Sequence, residues 1–319
     1  MRDFDVYSLV LSLYIYSLSR SHSLGEEMKS DANVVVVRVL LIRHARTNHN
    51  ALGIIQGQLD TDVNEEGNFQ IQRLGETLLS SSPSSSSSLK MKKSCSEREE
   101  NENEDDGSND NNNNNKNKNN NNNNFITIRK VLSSDLRRCS HTARGMVTAM
   151  EKAKNAKVEI EESPKLRERH VGALQGCPRK LAPQKFPREW AIFCESKKNR
   201  SLKCAGEGGE SVDDVLKRVK ECIDDAVRRI VLEDDNDRME NEETTIAVVT
   251  HAGVLLLLRE YLVDEDLSGE KNRGIVRNCS IGTMRVEVEV DVSSDSKKMK
   301  WILESWGVID AEGTADVVV

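Results

Sequence analysis

The stretch VVVVRVLLI at residues 34–42, followed directly by RHARTNHN at residues 43–50, decides the fold of this chain. Eight of the first nine residues are apolar, which is typical of a strand buried on both faces of a helix-covered parallel sheet. Arg43 and His44 therefore stand at the carboxyl end of a strand, where open α/β sheets bind their ligands. An imidazole beside a fixed guanidinium group at that edge is suited to attack or hold a phosphoryl group.

Strand and helix patterns alternate along the rest of the chain. Residues 125–132, 158–160 and 244–250 are predicted strands, and residues 281–290 and 300–305 fit strands near a sheet edge. Helices are predicted at residues 65–79, after residue 135, from residue 211 to about 232, and at 252–263. This alternation predicts an α/β fold, with a single domain whose mostly parallel sheet is covered by helices on both faces.

Capping signals mark two of the helix starts. Asn64 can cap the helix at 65–79, and Ser211 with Asp214 forms a pattern like a capping box. The candidate inward positions of the helix at 65–79 are apolar: Phe69, Ile71, Leu74 and Leu78.

Three segments are expected to lie outside the packed core. Residues 80–124 begin as a serine run and end in almost pure asparagine, so they cannot bury enough apolar surface to offset the entropy of ordering. We expect them to form a disordered insertion in a domain that spans residues 31–310, with an N-terminal extension at 1–30 and a C-terminal tail at 311–319. The apolar run at 6–18 is shorter than the roughly 20 residues that span a bilayer, so no membrane association is expected.

The charge balance and the cysteines narrow the class of protein. The chain has 46 basic and 53 acidic residues, a net charge of −7, which argues against a general nucleic-acid-binding protein. The seven cysteines contain no CxxC pair, and scattered cysteines fit a reducing compartment, so a cytoplasmic location is expected. A zinc site at Cys177, Cys194 and Cys204 would lack the usual close ligand spacing, and no metal is expected.

Three later segments supply further groups that phosphoryl transfer requires. They are SSDLRRCSHTA at residues 133–143, LRERHVGALQG at 166–176 and VVTHAGV at 248–254. The last one repeats the opening design of a buried strand followed by a histidine and a helix. Phosphoryl transfer needs positive charge around the phosphoryl oxygens, a nucleophile in line and a proton for the leaving oxygen. Neutral imidazole is a good nucleophile near pH 7, and arginine can pair with two phosphate oxygens without losing its charge.

Together the four segments resemble the histidine phosphatase superfamily, the branch with cofactor-dependent phosphoglycerate mutases and related phosphatases. Within it, ERHVG at 168–172 and GGES at 208–211 look like plant phosphoglycerate mutase-like proteins described as metal-independent phosphoserine phosphatases. The resemblance implies that His44 is the nucleophile that forms phosphohistidine and that Glu168 is the general acid. It also implies that Arg43, Arg138 and His251 hold the phosphoryl oxygens.

The same resemblance suggests substrate contacts and partners. The residues that match substrate-binding positions are Asn50, Gln56, Gly57, Arg169 and Ala252. A small phosphorylated compound is the expected partner, no cofactor is implied for hydrolysis, and a homodimer is the expected assembly if the chain associates.

Departures from the family pattern favour hydrolysis over mutase activity. Val171 and the pair Ala252-Gly253 replace residues that the mutases usually carry, and Leu256 stands where an arginine is common. A mutase must retain and reorient a bisphosphate intermediate, whereas a phosphatase only needs water to reach phosphohistidine. The leading hypothesis is therefore a metal-independent phosphatase that acts on a phosphoserine-like phosphomonoester. The alternatives are a cofactor-dependent phosphoglycerate mutase and a phosphate-binding scaffold without turnover.

Overall fold

The computed structural model describes residues 33–80, 127–154, 157–233, 244–266, 276–290 and 298–308. The predicted extension at 1–30, the insertion beyond residue 80 and the tail at 311–319 lie outside the described residues. Within the described ranges, no helix is long and apolar enough to cross a membrane.

The strands form one mixed sheet in the order β3-β2-β4-β1-β6-β7-β5. Their bounds are β1 Asn33–Arg43, β2 Ile128–Ser134, β3 Glu159–Ser163, β4 Thr244–Thr250, β5 Glu265–Asp266, β6 Ile281–Val290 and β7 Lys298–Val308. Strands β3, β2, β4 and β1 run parallel, β6 is antiparallel to β1 and β7, and β5 is parallel to β7. The predicted single α/β domain with a mostly parallel sheet is confirmed.

Helices follow most of the parallel strands. Their bounds are α1 Asn48–Ala51, α2 Glu65–Ser80, α3 Arg137–Lys154, α4 Ala182–Lys185, α5 Pro187–Glu195, α6 Val212–Glu233 and α7 Ala252–Tyr261. Short 3₁₀ turns lie at Pro164–Leu166, Gly172–Leu174 and Arg179–Leu181, in the long connection between β3 and α6.

The alternation of side chains along β1 produces one buried layer on each face of the sheet. Val37, Val39 and Leu41 pack in a cluster with α6 and α7, whereas Leu40 and Ile42 pack in a second cluster with α2 and α3. Burying one such side chain contributes about 1.5–3 kcal/mol to folding. Both faces of the strand are therefore covered by helices, as the continuous apolar run predicts.

The register of the two central strands brings the two histidine segments together. Arg43 at the end of β1 pairs with Thr250 at the end of β4. The backbone N–H of His44 donates to the carbonyl oxygen of Thr250 over 2.9 Å. His44 and His251 are thus the first residues beyond two adjacent, parallel strand ends, which places both at the same edge of the sheet.

Both predicted helix caps are present. The side-chain oxygen of Asn64 accepts from the backbone N–H of Gly67 over 2.9 Å. The Ser211 hydroxyl accepts from the N–H of Asp214 over 3.0 Å, and the Asp214 carboxylate accepts from the N–H of Ser211 over 2.9 Å. This reciprocal pair is a capping box, and it fixes the start of α6.

One predicted core position of α2 is corrected. Phe69 is 62% exposed, whereas Ile71, Leu74 and Leu78 are buried. Phe69 precedes Ile71 by two residues, a rotation of about 200° around the helix, so it lies on the opposite face.

Strand β2 spans Ile128–Ser134 and so ends two residues later than predicted, because Ser133 and Ser134 pair with β3; residues 125–126 of the predicted strand lie outside the described residues. Strand β6 pairs with β1 on one side and with β7 on the other, so it lies inside the sheet; the outer strand on that side is β5.

Candidate active site

Two buried histidines meet at the shared end of β1 and β4. The ring centroids of His44 and His251 lie 5.2 Å apart with the ring planes inclined by 59°. His44 is 3% exposed and His251 is fully buried. The structure thus brings together two residues that are 207 positions apart in the sequence, the difference between residue numbers 251 and 44.

The hydrogen bonds of His44 fix which ring nitrogen carries the proton. Nδ1 lies 2.8 Å from the carbonyl oxygen of Ala45, a group that can only accept. Burial lowers the pKa of His44 well below 6.5, and the positive charges of Arg138 and Arg43 lower it further. The ring is therefore neutral near pH 7 with its proton on Nδ1, so Nε2 carries the lone pair.

His251 is held as a neutral ring as well. Its pKa is lowered well below 6.5 by burial, then by Arg138 and by His44. Nδ1 accepts from Nε of Arg138 over 3.3 Å, and Nε2 lies 3.0 Å from the hydroxyl of Ser134. Both nitrogens have protein partners, and the contact with a phosphoryl oxygen that the sequence suggests stays a prediction.

Arg138 presents a buried positive charge to this site. Its NH1 and NH2 donate to the carbonyl oxygens of Leu59 and Gly57 over 2.7 and 2.8 Å. Among the described residues no carboxylate lies within ion-pair distance of it; burial lowers its pKa from 12.5, and the charges of Glu168 and Asp60 act in the opposite direction. Because carbonyl dipoles orient the guanidinium group without neutralising it, the charge remains available to an anion.

Arg43 is anchored through a loop that precedes β6. NH1 of Arg43 donates to the carbonyl oxygen of Val276 over 2.7 Å, and the backbone N–H of Cys279 donates to the carbonyl oxygen of Arg43 over 3.1 Å. The side-chain amide of Asn278 donates to the carbonyl oxygen of His44 over 2.8 Å. Cys279 has a φ of 56°, a conformation that is strained for a residue other than glycine. This strained loop fixes the backbone of the Arg43-His44 pair.

Glu168 reaches the same site from the loop after β3. Its Oε2 accepts from the backbone N–H of Gly253 over 3.0 Å, and its Oε1 accepts from the N–H of Arg169 over 2.9 Å. Gly253 is the second residue of α7, two positions beyond His251. The carboxyl group therefore lies against the start of the helix that follows the second histidine.

Asn50 and Gln56 are oriented by one buried threonine. The hydroxyl of Thr47 lies 3.0 Å from Oδ1 of Asn50 and 3.2 Å from Oε1 of Gln56. Thr61 also donates to Oε1 of Gln56 over 2.7 Å. Since these contacts engage the amide oxygens, the amide nitrogens are the groups that these side chains can offer to a phosphate.

The remaining predicted contacts have other uses in the structure. Arg169 donates from Nε and NH2 to the carbonyl oxygens of Glu210 and Leu202, over 2.9 and 3.4 Å, and its contact with substrate stays a prediction. Gly57 has a φ of 52° and contributes its carbonyl oxygen to Arg138. Ala252 is the first residue of α7, and its contact with substrate stays a prediction.

Several residues of this site have no signal in the sequence analysis. Ser134 and Cys139 contact His251, with the Cys139 sulfur 3.4 Å from Nε2. Burial raises the pKa of the Cys139 thiol to about 12, so it remains an uncharged packing group. Thr142 accepts from the N–H of Ala45 over 2.9 Å and thereby ties α3 to the loop after His44. Ser134 ends β2, and Cys139 and Thr142 lie in the first turns of α3, where nothing in the sequence distinguishes them from other small residues of a strand or helix.

The described histidines and cysteines outside the site contact other groups and form no metal-binding cluster. His141 is exposed and lies 3.0 Å from Asp62, and His170 accepts from the backbone N–H of Gly172 over 3.2 Å. In the part of the chain that the structure describes, no three His, Cys, Asp or Glu side chains lie close enough to hold a metal ion. The zinc alternative at Cys177, Cys194 and Cys204 is therefore unsupported.

Comparisons with known proteins agree on one family. The model of the "Histidine phosphatase superfamily (branch 1)" matches residues 39–90 and 122–291. The metal-independent phosphoserine phosphatase of Arabidopsis thaliana is 28% identical over 288 residues, which is 90% of this chain and 87% of that protein. Phosphoglycerate mutase-like protein 4 of the same plant is 28% identical over 283 residues, 88% of this chain and 90% of that protein.

A solved structure shows the same fold. Mycobacterial glucosyl-3-phosphoglycerate phosphatase aligns with a TM-score of 0.53 at 20% identity, over 85% of this chain and 99% of that one.

Proposed function

The chain belongs to the histidine phosphatase superfamily and is a phosphatase, and from this premise we propose that it hydrolyses a small phosphomonoester through phosphohistidine at His44. One observation carries the proposal. The Nδ1 of His44 lies 2.8 Å from a carbonyl oxygen, so the neutral ring keeps its lone pair on Nε2, the atom that would attack. An uncharged, oriented and buried imidazole is what nucleophilic attack on phosphorus requires.

In the first step Nε2 of His44 attacks phosphorus, and the bond from phosphorus to the leaving oxygen breaks. Glu168 gives its proton to that oxygen, so the alcohol departs uncharged. Proton donation of this kind contributes about 10²–10⁴ in rate. Arg138 stabilises the charge that the phosphoryl oxygens carry, and one such preorganised donor is worth on the order of 3 kcal/mol in the transition state.

In the second step water attacks the phosphorus of phosphohistidine. Glu168, now a carboxylate, accepts the proton of the water, and the bond between phosphorus and Nε2 breaks. Inorganic phosphate leaves, and both residues return to their starting protonation states. The neutral state of His44 is maintained by burial and by the charges of Arg138 and Arg43, which disfavour an imidazolium ion.

A phosphoserine-like compound is the proposed substrate. The support is the similarity, at 28% identity over most of both chains, to a relative named for phosphoserine hydrolysis. Catalysis without a metal is part of the proposal, because Arg138 offers a buried positive charge, held by carbonyl oxygens, that can stabilise the charge of the phosphoryl group.

The test is a panel of phosphomonoesters assayed for phosphate release in excess chelator. Phosphoserine, glycerol phosphate, 3-phosphoglycerate and nitrophenyl phosphate are compared for the wild type, His44→Ala and His141→Ala. His141 is exposed, so its variant serves as the matched histidine control. We expect the wild type and His141→Ala to be active in chelator. His44→Ala should lose activity and still show a cooperative thermal unfolding transition, which demonstrates that it is folded.

Other outcomes would redirect the proposal. Activity abolished by the chelator would contradict the metal-free mechanism, and full activity in His44→Ala would remove the assigned nucleophile. Interconversion of phosphoglycerates that depends on bisphosphoglycerate would identify a mutase instead. Phosphate binding without turnover on any substrate would identify a scaffold.

A further inference from the structure

The loop that carries Glu168 is held by an ion pair that the proposed mechanism does not use. Nε and NH2 of Arg218, on α6, donate to the two carboxylate oxygens of Glu210 over 2.8 and 2.9 Å. The two side chains are only 17% and 18% exposed. A two-pronged pair of this kind is the strongest geometry that arginine forms with a carboxylate. If Glu210 only stabilised the positive end of α6, it would need neither two hydrogen bonds from Arg218 nor a partly buried position.

Arg218 uses its remaining donors on the backbone of the Glu168 loop. NH1 donates to the carbonyl oxygens of Lys165 and Arg167, each over 2.7 Å. NH2 also donates to the carbonyl oxygen of Glu168 itself over 3.1 Å. Residues 167–171 have no regular secondary structure, so no strand or helix bonds hold this backbone in place. One guanidinium group therefore contacts three carbonyl oxygens around the residue proposed as general acid.

Glu210 binds the same loop on the C-terminal side of Glu168. Its Oε2 accepts from the backbone N–H of His170 over 2.8 Å and from the side-chain amide of Gln58 over 3.2 Å. Gln58 donates from the same amide to the carbonyl oxygen of Glu168 over 3.1 Å. The pair thus binds the loop before and after Glu168, and Gln58 adds a third contact to it.

We propose that the Arg218–Glu210 ion pair positions Glu168 for proton transfer, an inference that rests on the proposed function. A general acid must lie within hydrogen-bond reach of the leaving oxygen, and a shift of about 1 Å can cost about 100-fold in rate. Two partly buried charges are costly to keep in a loop anchor, and their contacts converge on the backbone around Glu168. Arg218 and Glu210 are positioning residues, because they act through Glu168.

The test compares two substrates that differ in their need for an acid. An alkyl phosphate such as phosphoserine or glycerol phosphate must have its leaving oxygen protonated, whereas dinitrophenolate leaves without a proton. The variants are Arg218→Lys, Glu210→Gln and Glu168→Gln. Lysine retains the positive charge that Arg218 directs at His251 but cannot form the fork. Arg228→Lys is the matched control, since Arg228 lies on the same helix in an exposed pair with Asp225.

We expect Glu168→Gln to lower kcat/KM for the alkyl phosphate by about 10²–10⁴ and to spare the first step with dinitrophenyl phosphate. Arg218→Lys should lower the alkyl value by about 10- to 100-fold with little loss of the dinitrophenyl burst, and Glu210→Gln should act in the same direction. Arg228→Lys should stay within about twofold on both substrates. In the double variant, Arg218→Lys should add little to the loss caused by Glu168→Gln, because both changes remove one function.

The outcomes separate the two levels of the argument. Equal losses on both substrates in Arg218→Lys and Glu210→Gln, or additive losses in the double variant, would overturn the positioning role even if Glu168→Gln behaves as expected. If Glu168→Gln itself shows no dependence on the leaving group, the assignment of the general acid fails first. If Arg218→Lys lowers the amount of folded protein, Glu210→Gln decides, because glutamine keeps the shape and can still accept from His170.

Discussion

Replacing Gly253 by alanine should separate activity from stability. A Cβ atom on Gly253 would lie 2.5 Å from Oε1 and 3.1 Å from Cδ of Glu168. Non-bonded carbon contacts settle near 3.5 Å, so the carboxyl group must move away by about 1 Å. The atoms in the way belong to the end of a flexible side chain, and the move also weakens the hydrogen bond from the Gly253 N–H to Oε2. The shift should leave the fold intact, but it moves the carboxyl group away from the position in which Glu168 would donate its proton.

The expected cost is about 100-fold in kcat/KM for an alkyl phosphate, or about 2.7 kcal/mol of transition-state stabilisation. The free energy of unfolding should stay the same or rise by up to about 1 kcal/mol, because alanine is the better helix residue. Steady-state kinetics on phosphoserine and dinitrophenyl phosphate, with urea unfolding, measure both effects. Leu256→Ala, on the exposed side of the same helix, is the control and should leave both unchanged. Full alkyl phosphatase activity in a folded Gly253→Ala protein would refute the reasoning.

Three further predictions follow from the same geometry. The pKa values of His44 and His251 are below 6.5 in the folded protein, so the unfolded chain binds more protons at acidic pH. The free energy of unfolding should therefore fall as the pH drops below 6.5, by about 1.4 kcal/mol per pH unit for each histidine. Urea unfolding between pH 7 and 5 should show this slope, and His44→Asn should reduce it by about half. Arg138→Lys should lower kcat/KM by about 10²–10³, because an ammonium group cannot bind both carbonyl oxygens and also contact a phosphate as a planar guanidinium group does. An unchanged kcat/KM would exclude Arg138 from the active site. Leu74→Ala should cost about 2–5 kcal/mol of unfolding free energy and Phe69→Ala under about 0.5 kcal/mol, and similar costs would contradict the corrected face of α2.

The parts of the fold that the sequence predicts are those with local, periodic signals. The apolar run before His44 and the matching run before His251 mark two buried strands, and their shared register follows from the parallel sheet. Ser211 and Asp214 lie three residues apart, so their reciprocal cap is visible in the sequence. Phe69 shows the limit of this reasoning, because an apolar residue two positions out of phase lies on the wrong face of its helix.

The site shows the same division. His44 and His251 lie next to predicted strand ends and Arg138 in the helix predicted after residue 135, and the structure brings the three together. Asn278 is 234 residues from the His44 carbonyl oxygen that it binds, and Arg218 is 50 residues from Glu168. Such contacts depend on how loops fold back on the sheet, and a residue that binds a backbone carbonyl leaves no pattern in the sequence. Positioning residues such as Arg218 and Asn278 can therefore be identified only from the structure.

The most direct measurement is to trap the covalent intermediate. The Glu168→Gln protein should react with dinitrophenyl phosphate, whose leaving group needs no acid. The phosphohistidine should then hydrolyse slowly, because glutamine cannot accept the proton of the attacking water. Quenching at alkaline pH, where phosphohistidine survives, followed by mass spectrometry of the peptides should find one phosphoryl group on His44 and none in the His44→Ala, Glu168→Gln protein. Phosphate released in the burst with no protein-bound phosphoryl group, or a phosphoryl group on any other residue, would contradict the account.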